Sequence, residues 1–249
     1  MRFFISIFFY CTSVLALVSI APVDIGSKPG LSGSISTSIS SKRGNTVKDE
    51  YSFGGRIQYD EAIDYLIWGT LTYNYGESFG VKNEDKLYGH LRGIHSTGVN
   101  DLNSEIFLQS EQDTFRDIKG RSLVGANLRW RFLNSTEWGK SYLGVGALKE
   151  EISYSHSLDN PHENNSRINI YAAYTKKISA TSKITYIGYY QPKFKDSKDY
   201  VASQTFELII PIYGSLHLNT SAKHLKDTTP PLSVKKEDTA ISTALLWEF

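Results

Sequence analysis

From Gly30 onward the chain alternates apolar and polar positions with a period of two, and no stretch follows the 3.6-residue period of an amphipathic helix. In one segment Tyr51, Phe53, Gly55, Ile57 and Tyr59 oppose Ser52, Gly54, Arg56, Gln58 and Asp60. In the next, Ile63, Tyr65, Ile67, Gly69, Leu71, Tyr73 and Tyr75 oppose Asp64, Thr70, Thr72 and Asn74, with Trp68 as the exception. Twelve such segments predict strands: Gly30 to Ser40, Lys48 to Asp60, Ile63 to Gly76, Glu84 to Ser96, Asp101 to Asp113, Ile118 to Phe132, Ser141 to Ser155, Arg167 to Lys177, Ser182 to Gln191, Asp199 to Ile210, Gly214 to His224 and Thr239 to Phe249. The expected fold class is all-β.

Alternation by itself fits either a soluble barrel with its apolar face inward or a membrane barrel with that face on lipid. Three features favour the membrane. Most segments reach the roughly nine to eleven residues that a tilted strand needs to cross hydrocarbon, whereas soluble strands average about five or six. Short turns such as Ser96 to Asn100 alternate with longer polar connections, Glu77 to Asn83, His156 to Ser166 and Leu225 to Asp238. Thr114 to Asp117 is a short exception. With both termini on the short-turn, periplasmic side, an even number of strands is required.

The third feature is the last segment, where Ile241, Thr243, Leu245, Trp247 and Phe249 alternate. Leu245, Trp247 and Phe249 resemble the terminal-strand signal that bacterial barrel-insertion machinery reads. Tyr51, Tyr59, Tyr73, Tyr75, Trp130, Tyr189, Tyr190 and Trp247 near strand ends are expected to form interfacial aromatic girdles.

The one long apolar run comes first. Arg2 precedes Phe3 to Val18, and Ser19-Ile20-Ala21 offers small residues for cleavage, so residues 1–21 are expected to be a Sec-type signal peptide. Residues 22–29 then form a periplasmic lead, and 30–249 the barrel. The sole Cys, Cys11, lies in the signal, preceded by Phe8-Phe9-Tyr10, which does not suit a lipid anchor. A mature chain without Cys has no thiol chemistry.

With 27 basic and 26 acidic residues, the chain exerts little long-range pull on nucleic acid, and no such partner is expected. The charges are concentrated on polar faces that a membrane barrel turns inward. Lys86, His90 and Arg92 stand on the fourth segment, Glu105, Gln109, Glu111 and Asp113 on the fifth, and Lys119, Arg121, Asn127, Arg129 and Arg131 on the sixth. Simple hairpin register puts Glu111 near Arg121, Asp113 near Lys119, and Glu105 between Arg92 and Arg129. Such a ladder serves either as a salt-bridge network that fills the lumen or as a selectivity surface for ions. Arg56, Arg167, Glu207, His217, Asn219 and Lys223 continue the lining.

No catalytic set emerges. His217 with Ser215 and Asn219 shares a strand face for ordinary reasons of spacing, and neither a Gly-x-Ser-x-Gly elbow nor a His-Glu-x-x-His motif occurs. His156, Asp159, His162 and Glu163 could converge on a metal only as a loop cluster. The chain is therefore read as a non-enzyme without cofactor or metal. Gly44-Asn45 suits a hairpin turn, and Pro230-Pro231 stiffens the last outer loop.

Several motifs run in order along the chain: Gly44-Asn45-Thr46, Glu105-x-Phe107-x-Gln109-x-Glu111-x-Asp113-x-Phe115, Arg121-x-Leu123-x-Gly125-x-x-x-Arg129, Leu143-Gly144-x-Gly146, Arg167, Gln191-Pro192 with Asp199-Tyr200, and Pro230-Pro231 with Asp238. In these the sequence resembles the salt-induced outer-membrane protein family, over about Gly30 to Phe249. Val201 departs from the resemblance, standing where a basic residue is expected. The resemblance implies a Gram-negative outer-membrane location and a link to salt or osmotic stress.

The expectation is thus a twelve-stranded antiparallel outer-membrane barrel in contact with lipid and the insertion machinery. It would act as a narrow channel for small ions or solutes or as an envelope structural barrel. The alternatives are an outer-membrane lipid or ester hydrolase and a soluble secreted ligand-binding barrel.

Overall fold

The computed structural model describes residues 22–42, 48–156, 161–179, 182–231 and 234–249. The expected signal peptide and the Gly44-Asn45 turn lie outside the described residues. Twelve strands run in chain order: β1 (Gly30–Lys42), β2 (Lys48–Asp60), β3 (Tyr65–Ser78), β4 (Val81–Ser96), β5 (Leu102–Asp113), β6 (Ile118–Ser135), β7 (Gly139–Tyr154), β8 (His162–Lys177), β9 (Lys183–Pro192), β10 (Tyr200–Tyr213), β11 (Leu216–Asp227) and β12 (Glu237–Glu248). Every strand pairs antiparallel with its sequence neighbours, and β1 with β12, so the sheet closes and leaves no edge.

The closing seam aligns Ser34 to Thr37 with Leu245 to Glu248. It extends by reciprocal backbone bonds between Gly33 and Phe249, 3.0 Å each. Gly33 is required there, because a Cβ would collide with the Phe249 ring and the Arg56 carbonyl. Glycine thus lets the first and last strands meet.

The barrel is inverted relative to a soluble protein. Exposed residues include Leu31, Ile57, Leu71, Ile106, Val124, Leu128, Val145 and Phe206, while Arg56, Arg92, Glu105, Arg129, Glu150, Arg167 and Glu207 are buried inside. Closing every backbone bond while turning apolar side chains outward is what hydrocarbon demands of a spanning sheet. Tyr59, Trp130, Tyr190 and Trp247 lie on the outer surface, as expected for girdles. Tyr189 does not: it packs inside against the buried Tyr142, Tyr171, Ala173 and Ile187.

The connection expected from Glu77 to Asn83 is a tight hairpin. Phe79 and Gly80 both take positive φ, 51° and 76°, between β3 and β4. That pair of conformations matches the right-handed twist of the flanking strands, and a bulge at Gly76/Glu77 adjusts the register. At this end Glu77, Ser78, Lys82 and Asn83 are polar and Val81 is the one apolar residue, so the strand ends carry no alternation.

Candidate functional site

The site is the barrel lumen, and its charges fall into three layers. Nearest the longer loops a chain of ion pairs crosses from β4 to the β9–β10 connection. Lys86 Nζ lies 2.5 Å from Glu111 and 3.1 Å from Asp113. Arg121 bridges Glu111 at 3.3 Å and Glu150 at 2.7 Å. Arg167 continues the chain to Glu150 at 2.6 Å and Asp199 at 3.1 Å, and Lys193 caps Asp199 at 2.6 Å. Burial opposes ionisation of Asp199, but hydrogen bonds from Lys193 and Thr229 and the Arg167 charge hold its carboxyl below the usual range. Alternating signs and shared hydrogen bonds are what make such charges tolerable away from bulk water.

The middle layer is centred on Glu105, buried on β5. Its carboxylate accepts from the Tyr171 hydroxyl at 2.9 Å and from Asn127 Nδ2 at 3.3 Å. Arg92 and Arg129 flank it at 3.4 and 3.5 Å. Arg92 also sits 5.2 Å from the Phe107 ring and 5.6 Å from that of Trp68, while Arg56 lies 4.3 Å over Trp68. These rings offer their negative faces to guanidinium groups. His90 is buried among them, 4.7 Å from Trp68. Aromatic bulk and ion pairs together fill the waist.

Glycine makes this waist possible. A Cβ at Gly144 would occupy the space of the Tyr171 ring, and one at Gly125 that of Phe107. At Gly146 it would meet the Asn127 side chain and the backbone of β6. The Leu143-Gly144-x-Gly146 spacing thus clears one inner wall so that residues of β6 and β8 can reach Glu105.

The third layer lies towards the termini. Residues 22–29 do not trail away from the barrel; they fold back into its mouth. Asp24 accepts from Lys140 at 2.7 Å and Tyr142 at 2.9 Å, and pairs with Arg131 at 3.1 Å. Arg129 donates to the Val23 carbonyl at 3.0 Å. Burial alone would raise the Asp24 carboxyl, but Lys140, Tyr142 and Arg131 outweigh it and hold the group below the ordinary range. Asp60 fixes the rest of the segment by accepting from the Gly26 and Lys28 amides at 2.8 and 3.0 Å. Beside this segment a cavity of about 730 Å³ opens at the same end, whereas the cavity beside Arg121, Glu150 and Arg167 on the loop side measures about 50 Å³.

The sequence matches the profile described as Protein of unknown function, DUF481, over residues 35–249. The chain belongs to this family. Among solved structures the DUF481 barrel is similar to the NanC porin, with a TM-score of 0.54, 8% identity, and coverage of 87% of this chain and 98% of that one. The translocator domain of the autotransporter NalP from Neisseria meningitidis is also similar, at a TM-score of 0.45 and 9% identity, covering 90% and 89%. None of the curated proteins matches the sequence. The likeness is one of fold, that of outer-membrane-type barrels.

Within the DUF481 barrel, Lys86, His90, Arg92, Glu105, Glu111, Asp113, Arg121 and Arg129 gather in the lumen, and Arg131 stands at the rim, 2.5 Å from Asp101. Lys119 does not join them. A register shift between Ile118 and Gly120 turns Ile118 inward and Lys119 to the exterior, and Asp113 pairs with Lys86 instead. Leu245, Trp247 and Phe249 face outward on the last strand.

The loop residues considered for a metal go separate ways. His156 bonds Asp117 at 2.8 Å, His162 bonds Ser153 at 3.0 Å, and Asp159 lies outside the described residues. His217 Nδ1 contacts the Ser215 carbonyl at 3.0 Å, while Asn219 bonds Glu207 at 2.9 Å, so the three do not assemble a nucleophile and base.

Sequence reasoning missed Asp24, Glu150, Tyr142 and Tyr171 as partners in the network. Glu150 stands in the run Lys149-Glu150-Glu151, where both faces read as polar and neither is marked as inward. Asp24 meets residues more than a hundred positions away, and local pattern holds no signal for that.

Proposed function

We propose that this protein is an integral outer-membrane barrel of a Gram-negative envelope. It acts as a narrow channel for small charged solutes, held shut at rest by its ion-paired waist and by residues 22–29. The observation that carries the reading is the polar lining that runs through the lumen, open at one end into the 730 Å³ cavity and obstructed elsewhere by side-chain pairs and the docked Asp24 segment. A purely structural barrel has no need of such a vestibule, whereas charged linings tune passage in pores. The outward Leu245, Trp247 and Phe249 support this reading; export through residues 1–21, insertion by the barrel machinery and a salt-stress context are parts of the proposal.

The test is a planar-bilayer recording of the folded protein beside Asp24→Asn. The channel reading expects discrete openings that are rare in the parent and more frequent in the variant, since the amide keeps its shape but loses its charge toward Arg131 and Lys140. Silence of both, from barrels shown to be folded by heat-modifiable gel mobility, would favour a sealed envelope barrel instead.

A further inference from the structure

The cavity beside residues 22–29 differs from the rest of the lumen in its charge balance. Its charged lining comprises Lys28, Arg56, Lys140, Lys177 and Lys183 against the single carboxylate of Glu248. Lys177 and Lys183 are directly opposed across β8 and β9. Their parity matches that of the inward residues Ala173 and Ile187. Like charges placed opposite one another on a shared sheet face are destabilising. Of these cations Lys140 is held by Asp24 at 2.7 Å and Lys28 donates to the Phe249 carbonyl at 3.0 Å, whereas Glu248 approaches Lys183 only to 3.8 Å and Lys177 has no ion-pair partner among the described residues.

Hydroxyl groups surround these cations. Ser27, Ser32, Ser34, Ser135, Thr136 and Thr175 line the same cavity, and the buried Ser32 Oγ has no hydrogen-bond partner. A buried hydroxyl left without a partner is uncommon and asks for one. The cations sit in two groups: Lys140, Lys177 and Lys183 on neighbouring strands β7, β8 and β9, and Lys28 with Arg56 on the side of β2.

We infer that this cavity is a binding site for a small water-soluble polyanion, a solute bearing two or more carboxylate or phosphate groups. One anionic group lies between Lys177 and Lys183 and relieves their repulsion. Another meets Lys28, while the serine and threonine hydroxyls hydrogen-bond the body of the solute. The volume suits a molecule of metabolite size. Because the site lies inside the barrel and opens at its mouth, a phosphate anchored in the bilayer does not reach it. The inference rests on the cavity alone and does not require the lumen to conduct.

The experiment is isothermal titration of citrate, and separately of inorganic pyrophosphate, into the full-length barrel refolded in neutral detergent. Saturable binding that weakens as salt is raised is expected. Affinity is expected to fall by at least about tenfold in the Lys177→Glu/Lys183→Glu double variant, since charge reversal makes a close contact repulsive. A barrel that gives no saturable binding of either probe, or a double variant that binds as the parent does, would overturn the site. The single variant Lys177→Gln, at an exposed strand end, keeps the test open should the double variant fail to fold; an unchanged affinity there would count against the pairing of Lys177 with an anion.

Discussion

The two ends of the lumen use the same residue types for opposite results. Towards the longer loops, Lys86, Glu111, Arg121, Glu150, Arg167, Asp199 and Lys193 alternate in sign, each touching the next at 3.3 Å or less, and a cavity of about 50 Å³ lies beside Arg121, Glu150 and Arg167. Towards the termini, Lys28, Arg56, Lys140, Lys177 and Lys183 line about 730 Å³; Asp24 holds Lys140, but Lys177 and Lys183 stand directly opposed with Glu248 no nearer than 3.8 Å to Lys183. Balanced charge fills space with the protein's own side chains; unbalanced charge leaves it for water and solute. In a lumen the sign sequence of neighbouring strands therefore matters more than the number of charges.

The comparison predicts unequal responses to substitution. Glu150→Ala should have the largest effect on stability, because it removes the carboxylate shared by the buried Arg121 and Arg167 and leaves each with one acidic partner, Glu111 and Asp199. Leaving a buried charge wholly unpaired costs about 3–5 kcal/mol, which bounds the loss from above. The loss should appear as a lower urea midpoint of the refolded barrel, and an unchanged midpoint would mean that water already compensates the loop-side network.

Gly144→Val should come next. The side chain would claim the space of the Tyr171 ring and detach its hydroxyl from Glu105, and overpacking of this kind costs about 1–3 kcal/mol. Tyr171→Phe separates the two contributions: it keeps the ring and loses only the hydrogen bond, about 1.5–3 kcal/mol for a bond to a charged group and less if water replaces the hydroxyl.

At the other end, charge changes should alter behaviour more than stability. Lys177→Gln at the exposed strand end should move the urea midpoint by no more than about 0.5 kcal/mol, and any change should be towards greater stability, because it removes a like-charge contact. A clear destabilisation would show that Lys177 has a structural partner after all.

Docking of residues 22–29 should depend on pH in a definite direction. Asp24 has a folded carboxyl value below its unfolded value. Its contribution is therefore fully present above the unfolded carboxylate pKa of 3.8 and is lost as pH falls through the still lower folded value. Openings should stay rare from neutral pH down to about 4 and increase only below that. An increase already at pH 6 would point to a different titrating group.

Much of this architecture was legible in the sequence because hydrocarbon imposes period two on one face. Strand β2 runs from Lys48 to Asp60, as the alternation alone predicted. Legibility failed where the membrane no longer dictates the outer face. Strand β8 begins at His162 rather than Arg167, because the added residues are polar on both sides, and β4 begins at Val81 rather than Glu84, where a single apolar residue precedes Lys82 and Asn83 and no alternation shows. It failed again where the inner face is not polar: Tyr142, Leu148 and Ile152 point inward on β7, and Phe107 and Leu123 join Leu148 inside. Among the charges, the Arg121–Glu111 and Arg92–Glu105–Arg129 groupings follow from hairpin register, whereas the exposure of Lys119 depends on a bulge. Asp24 depends on a chain reversal that only the closed barrel provides.

The most direct measurement is the reversal potential of single openings in a planar bilayer under a potassium chloride gradient, recorded for Asp24→Asn alone and combined with Lys177→Glu/Lys183→Glu. The account predicts discrete openings whose reversal potential marks anion preference, shifting towards cations when the two lysines are reversed. Folded barrels that never open, or openings whose reversal potential ignores both lysines, would contradict it.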